Sequence, residues 1–172
     1  ILINIENIVG TSGDDTIIGN SDTNTFTGGA NGTVGDTVSY AYLTDTQYNV
    51  KVDLDTTNSA TVYNNTTATS DVDSLNSIEN IIGGAGDDTF KGDDQNNILD
   101  GGSGGTDTAD FSNAGINLIV DLHSATNSAT ADSGIGQDTL VSIENIIGSS
   151  NNDRFESNLQ KSNVFMGQGG TD

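Results

Sequence analysis

The feature that most constrains this chain is an internal repeat. Residues 78–90 begin with an Ile-Glu-Asn-Ile motif and run into a stretch rich in Gly and Asp, and the same pattern recurs at residues 5–17 and 143–155. The motif's glutamates, Glu6, Glu79 and Glu144, lie 73 and 65 residues apart (79 − 6 and 144 − 79). Because equivalent residues of successive coils stack in a solenoid, a repeated Asp would form a row of carboxylates.

The repeat extends beyond this motif and predicts how the chain is organised. Val52-Asp53-Leu54 in the first unit is matched by Val120-Asp121-Leu122 in the second. We therefore expect one continuous domain, residues 1–172, with units 4–76 and 77–141 and a partial unit 142–172. Since both ends of the sequence fall inside a unit, we also expect it to be a window on a longer array.

Composition limits the possible partners and points to a bound cation. The 172 residues include 25 acidic and 4 basic ones, which gives a net charge of −21. Such a charge disfavours nucleic acid, and the absence of Cys excludes disulfides and thiolate sites. No apolar run approaches the ~20 residues of a membrane span, so we expect no membrane insertion. Leu, Ile, Val and Phe number 40, which is marginal for a chain with this much self-repulsion.

The Gly/Asp-rich stretches divide into groups of nine residues. In the second unit these are residues 83–91, 92–100 and, with one residue inserted, 101–110. Glycine permits the dihedral angles of a tight turn, and the three residues that close each group suit a short strand with one apolar side chain facing inward. Two such groups make a coil of about 18 residues, so the first and third turns should lie on the same edge.

Residues 83–91 match the pattern G-G-x-G-x-D-x-U-x, and here the chain resembles the RTX, or haemolysin-type, calcium-binding repeat proteins. The resemblance implies an all-β, right-handed parallel β-roll or β-solenoid with Ca²⁺ held between stacked turns. It also implies export by a type I secretion machine, unfolded where calcium is scarce and folded where it is abundant. The metal-binding residues that it implies are the pairs Asp15 with Asp36, Asp88 with Asp107 and Asp153 with Asp172, together with Gly10, Gly13, Gly83 and Gly86.

Two parts of the sequence depart from the nonapeptide pattern. The middle group has Asn24 and Asn97 where Asp is expected, so its binding of calcium is in doubt. The third unit has Ser149, Asn151 and Asn152 at positions of Gly and Asp, which makes its pair a weaker candidate. If the sixth-position Asp residues only capped turns, Asp and Asn should be used interchangeably at that position. The first and third groups instead carry Asp in every unit.

Several recurring acidic residues allow two interpretations. The motif glutamates are either further calcium ligands or outward strand residues, in the second case beside a stacked ladder formed by Asn7, Asn80 and Asn145. Asp53, Asp121, Asp73 and Asp138 either complete a second calcium shell or form the polar face of a strand.

The sequence predicts a structural rather than a catalytic role. His123 stands alone and there is no Cys, so a nucleophile–base arrangement that uses His cannot be assembled. Carboxylates in repeating turns do not make one unique cleft. We expect an extracellular or cell-surface stalk, fibre, surface-layer or adhesin body whose partners are calcium ions and further repeats of the same or like chains. The alternative is the non-catalytic calcium module of a type I-secreted hydrolase or epimerase.

Overall fold

The computed structural model describes residues 5–123, 128–131, 136–157 and 162–172, and every helix or strand in that part of the chain is a β-strand. The strands are β1 Asn7–Val9, β2 Thr16–Ile18, β3 Thr25–Thr27, β4 Thr37–Ser39, β5 Tyr48–Asp53, β6 Ser59–Asn64, β7 Thr69–Asn76, β8 Asn80–Ile82, β9 Thr89–Lys91, β10 Ile98–Asp100, β11 Thr108–Asp110, β12 Leu118–Asp121, β13 Ser128–Ala131, β14 Gln137–Val141, β15 Asn145–Ile147, β16 Arg154–Glu156 and β17 Val164–Met166.

The strands form two sheets, and the nonapeptide strands alternate between them. One sheet has the order β1-β3-β7-β6-β5-β9-β11-β15-β17, and the other β16-β12-β13-β14-β10-β8-β4-β2. Successive strands of one sheet, such as β9 and β11, pair in parallel with Thr89 beside Thr108. The chain thus winds as a β-roll, and a residue 19 positions later in the sequence (108 − 89) lies directly beside its counterpart.

The core lies between the sheets and is filled by the middle residue of each short strand. Phe90, Leu99 and Ala109 are fully buried, whereas the residues on either side of them are partly exposed. This alternation follows from the two-residue period of a strand, which directs one side chain of three into the core. Each three-residue strand buries little, so stability depends on stacking many coils.

The fold contains two segments that the sequence did not predict. β5–β7 and β12–β14 are three-stranded antiparallel meanders, the first in one sheet and the second in the other. Each rejoins the roll by parallel pairing at both sides, as in β3 with β7 and β5 with β9. The all-β expectation is confirmed, but the pairing is parallel only outside the meanders. The described residues contain no helix that could cross a membrane.

The meanders exist because longer strands and tight turns replace nonapeptides there. In the first, residues with positive φ close the two hairpins, Asn58 at 46° and Ala68 at 54°. Asp53 caps the first turn, because its Oδ1 accepts the amide of Thr56 at 2.7 Å. The Asp of Val-Asp-Leu therefore serves a hairpin in this unit, which favours the structural interpretation over a calcium shell.

Candidate metal centre

The structure brings each of the three predicted Asp pairs together. In every pair the later Asp accepts, through Oδ1, the backbone amide of the earlier one. The distances are 2.7 Å for Asp15 to Asp36, 2.8 Å for Asp88 to Asp107 and 2.9 Å for Asp153 to Asp172. The one-coil separation predicted from the spacing is therefore confirmed.

The second carboxylate oxygen of the earlier Asp closes its own turn. Asp88 Oδ2 accepts the amide of Gly84 at 2.7 Å, and Asp15 Oδ2 accepts that of Thr11 at 2.5 Å. The carboxylate folds back against the first residue of the turn, so a Cβ on Gly83 would lie closer than 3.0 Å to Asp88 Oδ2. Position one must therefore be glycine so that the carboxylate of the Asp at position six can close the turn.

Turn closure alone does not require a charge. In the middle nonapeptide of the second unit, Asn97 Oδ1 accepts the amide of Asp93 at 2.9 Å in the same way. Asn97 is only 1 % exposed, so burial is common to these turns; what distinguishes Asp36, Asp88 and Asp107, which are at most 1 % exposed, is that the buried group is a carboxylate. A buried carboxylate without an opposite charge is unfavourable, which points to a cation.

Oxygen atoms converge beside the first glycine of the third nonapeptide. The position of a Cβ on Gly28 would lie closer than 3.0 Å to both Asp36 Oδ2 and the carbonyl oxygen of Ser77. Asp36 Oδ2 is buried and has no hydrogen-bond partner. In the second unit, Asp107 Oδ2 and the carbonyl oxygen of Ser142 converge in the same way on Gly101. Hard oxygens from two coils that face an unpartnered carboxylate oxygen fit Ca²⁺.

These carboxylates form no compact acidic cluster. No three His, Cys, Asp or Glu residues of the described ranges are grouped as a metal site. A calcium ion between stacked turns would therefore take one carboxylate from each turn and draw its other ligands from backbone carbonyls. This donor set is compatible with the six to eight oxygens that Ca²⁺ requires.

Burial raises the pKa of both carboxyl groups of the central pair, so each is harder to ionise than an exposed Asp. Desolvation raises the pKa of Asp88 to about 6, although the amides of Val50 and Gly84 oppose the shift. Desolvation also raises the pKa of Asp107 to about 8, with a further contribution from the negative charges of Asp88 and Glu144. A divalent ion would favour the charged forms of both groups.

The glutamates of the repeated motif continue the row of carboxylates. Glu79 Oε2 accepts the amide of Asp36 at 2.8 Å, and Glu144 Oε2 accepts that of Asp107 at 3.0 Å. Each Glu therefore accepts an amide from the neighbouring coil, as Asp36 and Asp107 accept the amides of Asp15 and Asp88. The signal in the sequence was the recurrence of this glutamate in the motif of every unit, at Glu6, Glu79 and Glu144.

The alternative of an Asn ladder is wrong. Asn80 pairs with Thr37 and Ile98 in one sheet, whereas Asn145 lies in the other sheet beside Thr108. Asn80 instead joins neighbouring coils, because its Nδ2 donates to the carbonyl of Val34 at 3.0 Å.

The fifth position of the first nonapeptide is a further bridging residue that the sequence analysis did not single out. Asp14 Oδ1 accepts the amide of Gly35, and Asp87 Oδ1 that of Thr106, both at 2.8 Å. In the third unit Asn152 makes the same bond to Thr171 at 2.8 Å. The signal was its recurrence as Asp, Asp and Asn, which indicates an acceptor without a required charge.

The third pair differs from the other two. Asp153 Oδ1 accepts the amide of Leu118 and the hydroxyl of Ser149, while its Oδ2 accepts the Ser149 amide. Two backbone amides also satisfy both oxygens of Asp88, so the differences in the third pair are the added Ser149 hydroxyl and the exposure of Asp172. The serine that replaces a glycine thus supplies a hydroxyl in place of some of the cation's stabilisation, which agrees with the weaker expectation for this pair.

The four predicted glycines have different surroundings. A Cβ at Gly10 or Gly83 would clash with the carbonyl oxygen of the next turn, of Gly28 or Gly101, and one at Gly86 with that of Tyr48. At Gly13 the nearest atom to such a Cβ is Thr11 Oγ1, at 3.9 Å. The first three therefore lie in oxygen-lined contacts, whereas Gly13 faces open space.

Comparison with known proteins agrees with this geometry. The family model of the RTX calcium-binding nonapeptide repeat matches residues 4–32 and 75–108, in four copies. The matched segments contain the turns that carry Asp15, Asp88 and Asp107. No match was found among curated proteins. The repeat is a structural calcium-binding module, and the ion that it binds is Ca²⁺. Residues 4–32 and 75–108 are therefore similar to the RTX-type calcium-binding repeat.

Proposed function

We propose that the chain is a calcium-stabilised structural region of an extracellular protein, forming the body of a stalk, fibre, surface layer or adhesin. The observation that carries this proposal is the repetition of one cross-coil bond at all three Asp pairs. A site that recurs along a solenoid axis stabilises length, and further repeats of the same or like chains would extend it.

The charge of the chain supports a dependence on calcium. Three ions, one for each pair, would reduce the net charge from −21 to −15. Sites assembled from separate turns must offset the entropy of ordering them, so affinities on the order of 10⁻⁴–10⁻³ M are expected, as in extracellular modules. At such affinities the ions would bind outside a cell, where calcium is abundant, and not in the cytosol.

Mechanical unfolding tests the structural role. We would hold the chain between two marker domains and pull it in an optical trap, first in calcium and then in chelator. A load-bearing region should resist in calcium and then release about 570–620 Å of contour, at about 3.3–3.6 Å for each of its 172 residues. In chelator the same chain should extend without a step. A resistance that is the same in both conditions would contradict the proposal.

The alternative is a calcium module that accompanies a secreted hydrolase or epimerase. In that case the calcium-dependent unfolding step should also be present. The full-length parent protein should then lose enzymatic activity when the Asp residues of the turns are mutated. A structural array would instead lose surface assembly.

A further inference from the structure

The two complete units bury an equivalent carboxylate but satisfy it differently. In the first unit, Asp73 Oδ1 accepts the amide of Asn24 at 2.7 Å, and its Oδ2 accepts the hydroxyl of Tyr40 at 2.5 Å. In the second unit, Asp138 Oδ1 accepts the amide of Asn97 at 2.9 Å. Asp138 Oδ2, however, is buried without a hydrogen-bond partner, and the residue is 1 % exposed.

The difference follows from one substitution between the units. Phe111 occupies the place in the repeat that Tyr40 has in the first unit, and it has no hydroxyl to donate. Phe111 and Asp138 line the same cavity, of about 70 Å³. Since Asp73 Oδ2 faces the Tyr40 hydroxyl, the equivalent oxygen of Asp138 faces the side of Phe111, where the hydroxyl is missing.

The walls of the cavity are strongly acidic. They include Asp55, Asp93, Asp110 and Asp138 against the single cation Lys91, a formal charge of −3 (−4 + 1). Lys91 Nζ lies 4.0 Å from Asp110 Oδ2.

The acidic walls are specific to the second unit. The repeat positions of Asp93 and Asp110 are held in the first unit by Asn20 and Ser39. The missing hydroxyl and the added carboxylates therefore occur together, in the unit in which Asp138 Oδ2 lacks the partner that Asp73 Oδ2 has in the first unit.

We propose that this cavity is a second kind of cation site, which holds one divalent ion of the calcium class through Asp138 Oδ2. Because no three carboxylates of the described residues converge, the ion keeps several waters, and Asp93 and Asp110 act on it through those waters. The site is independent of the paired turns and of the structural role proposed above. Burial raises the pKa of Asp138 to about 7, so that the group is readily neutralised by a proton or by a cation.

The substitution Phe111→Tyr tests the site with little damage to the core. It restores the hydroxyl that Tyr40 supplies in the first unit and fills the space of the ion. We would measure bound ⁴⁵Ca per chain by equilibrium dialysis, with circular dichroism to verify the fold. The variant should bind one ion fewer than the parent chain, and Asp138→Asn should show the same loss.

Two further variants separate this site from the others. Tyr40→Phe leaves Asp73 without its donor but adds no carboxylates, so it should gain no ion. Combining Phe111→Tyr with Asp107→Asn should remove two ions, because the two sites are separate. If both Phe111→Tyr and Asp138→Asn bind as many ions as the parent, the cavity holds only a proton or water and the proposal is wrong.

Discussion

Replacing Asp107 with Asn should change stability in opposite directions with and without calcium. Asn is nearly isosteric, and its Oδ1 can still accept the amide of Asp88, now at 2.8 Å. What it loses is the charge of Oδ2, which faces the carbonyl oxygen of Ser142 beside Gly101. Without calcium that charge is unfavourable, because burial raises the pKa of Asp107 to about 8. The calcium-free variant should therefore be as stable as the parent or more so.

With calcium, the variant loses the stabilisation of one bound ion. For a dissociation constant on the order of 10⁻⁴–10⁻³ M, 10 mM calcium is roughly 10 to 100 times that constant. Linkage then gives about 1.4–2.7 kcal/mol for the site. For a domain of this size, a change of 1 kcal/mol shifts the Tm by about 2–4 °C. The expected fall in Tm is therefore about 3–11 °C, in calcium only.

The assay is a thermal melt in 10 mM calcium together with the folded fraction in chelator measured by circular dichroism, with Asp87→Asn as the matched control. Asp87 lies in the neighbouring turn and is exposed, and replacing it with Asn removes the same formal charge as Asp107→Asn. Its Oδ1 accepts the amide of Thr106, which Asn152 shows that an amide side chain can also do. The control should lose little in either condition. Equal losses in calcium for both variants would mean that general charge, and not a site, is responsible.

Three further predictions follow from the same contacts. Gly101→Ala should destabilise the calcium form strongly, because the new Cβ would lie closer than 3.0 Å to Asp107 Oδ2 and to the carbonyl oxygen of Ser142. Gly13→Ala is the control and should be tolerated, because the atom nearest to its Cβ would be 3.9 Å away. Equal losses of Tm in the two variants would refute the oxygen-lined contact. In chelator, the folded fraction measured by circular dichroism should be higher at pH 5 than at pH 8. The reason is that burial raises the pKa of Asp88 from 3.8 to about 6, so the folded state binds more protons over this range and its stability falls as pH rises; a larger folded fraction at pH 8 would contradict this. Magnesium should replace calcium poorly in calorimetric titrations, since it demands a tighter octahedral shell than carbonyls from two coils provide, and equal binding would count against the proposed ligands.

The pairing of the Asp residues could be predicted from sequence because it depends only on spacing. A separation of 19 residues between Asp88 and Asp107 corresponds to one coil, and strand pairing then places them side by side. The shared role of the first glycine and the sixth Asp was also implicit in the motif. The ligand assignment itself remains a prediction.

The meanders could not be predicted, because antiparallel and parallel strands share the same alternating pattern. Nothing in the Val-Asp-Leu segments shows whether the next strand pairs antiparallel in the same sheet or continues the roll in the other sheet. The same holds for the cavity at Asp138. The change from Tyr40 to Phe111 is conservative in sequence, and its consequence depends on a carboxylate that comes from a strand 27 residues later in the chain (138 − 111).

The most direct test of calcium as the ion that holds this fold together is the far-ultraviolet circular dichroism of the chain at pH 7.5 in chelator, in millimolar calcium and in millimolar magnesium. The marginal apolar content and the net charge of −21 predict a largely disordered chain in chelator. A cooperative gain of β-structure should follow the addition of calcium, and little gain should follow the addition of magnesium. A full β-spectrum that persists in chelator would contradict the account, because the stacked Asp turns would then be stable without the ion.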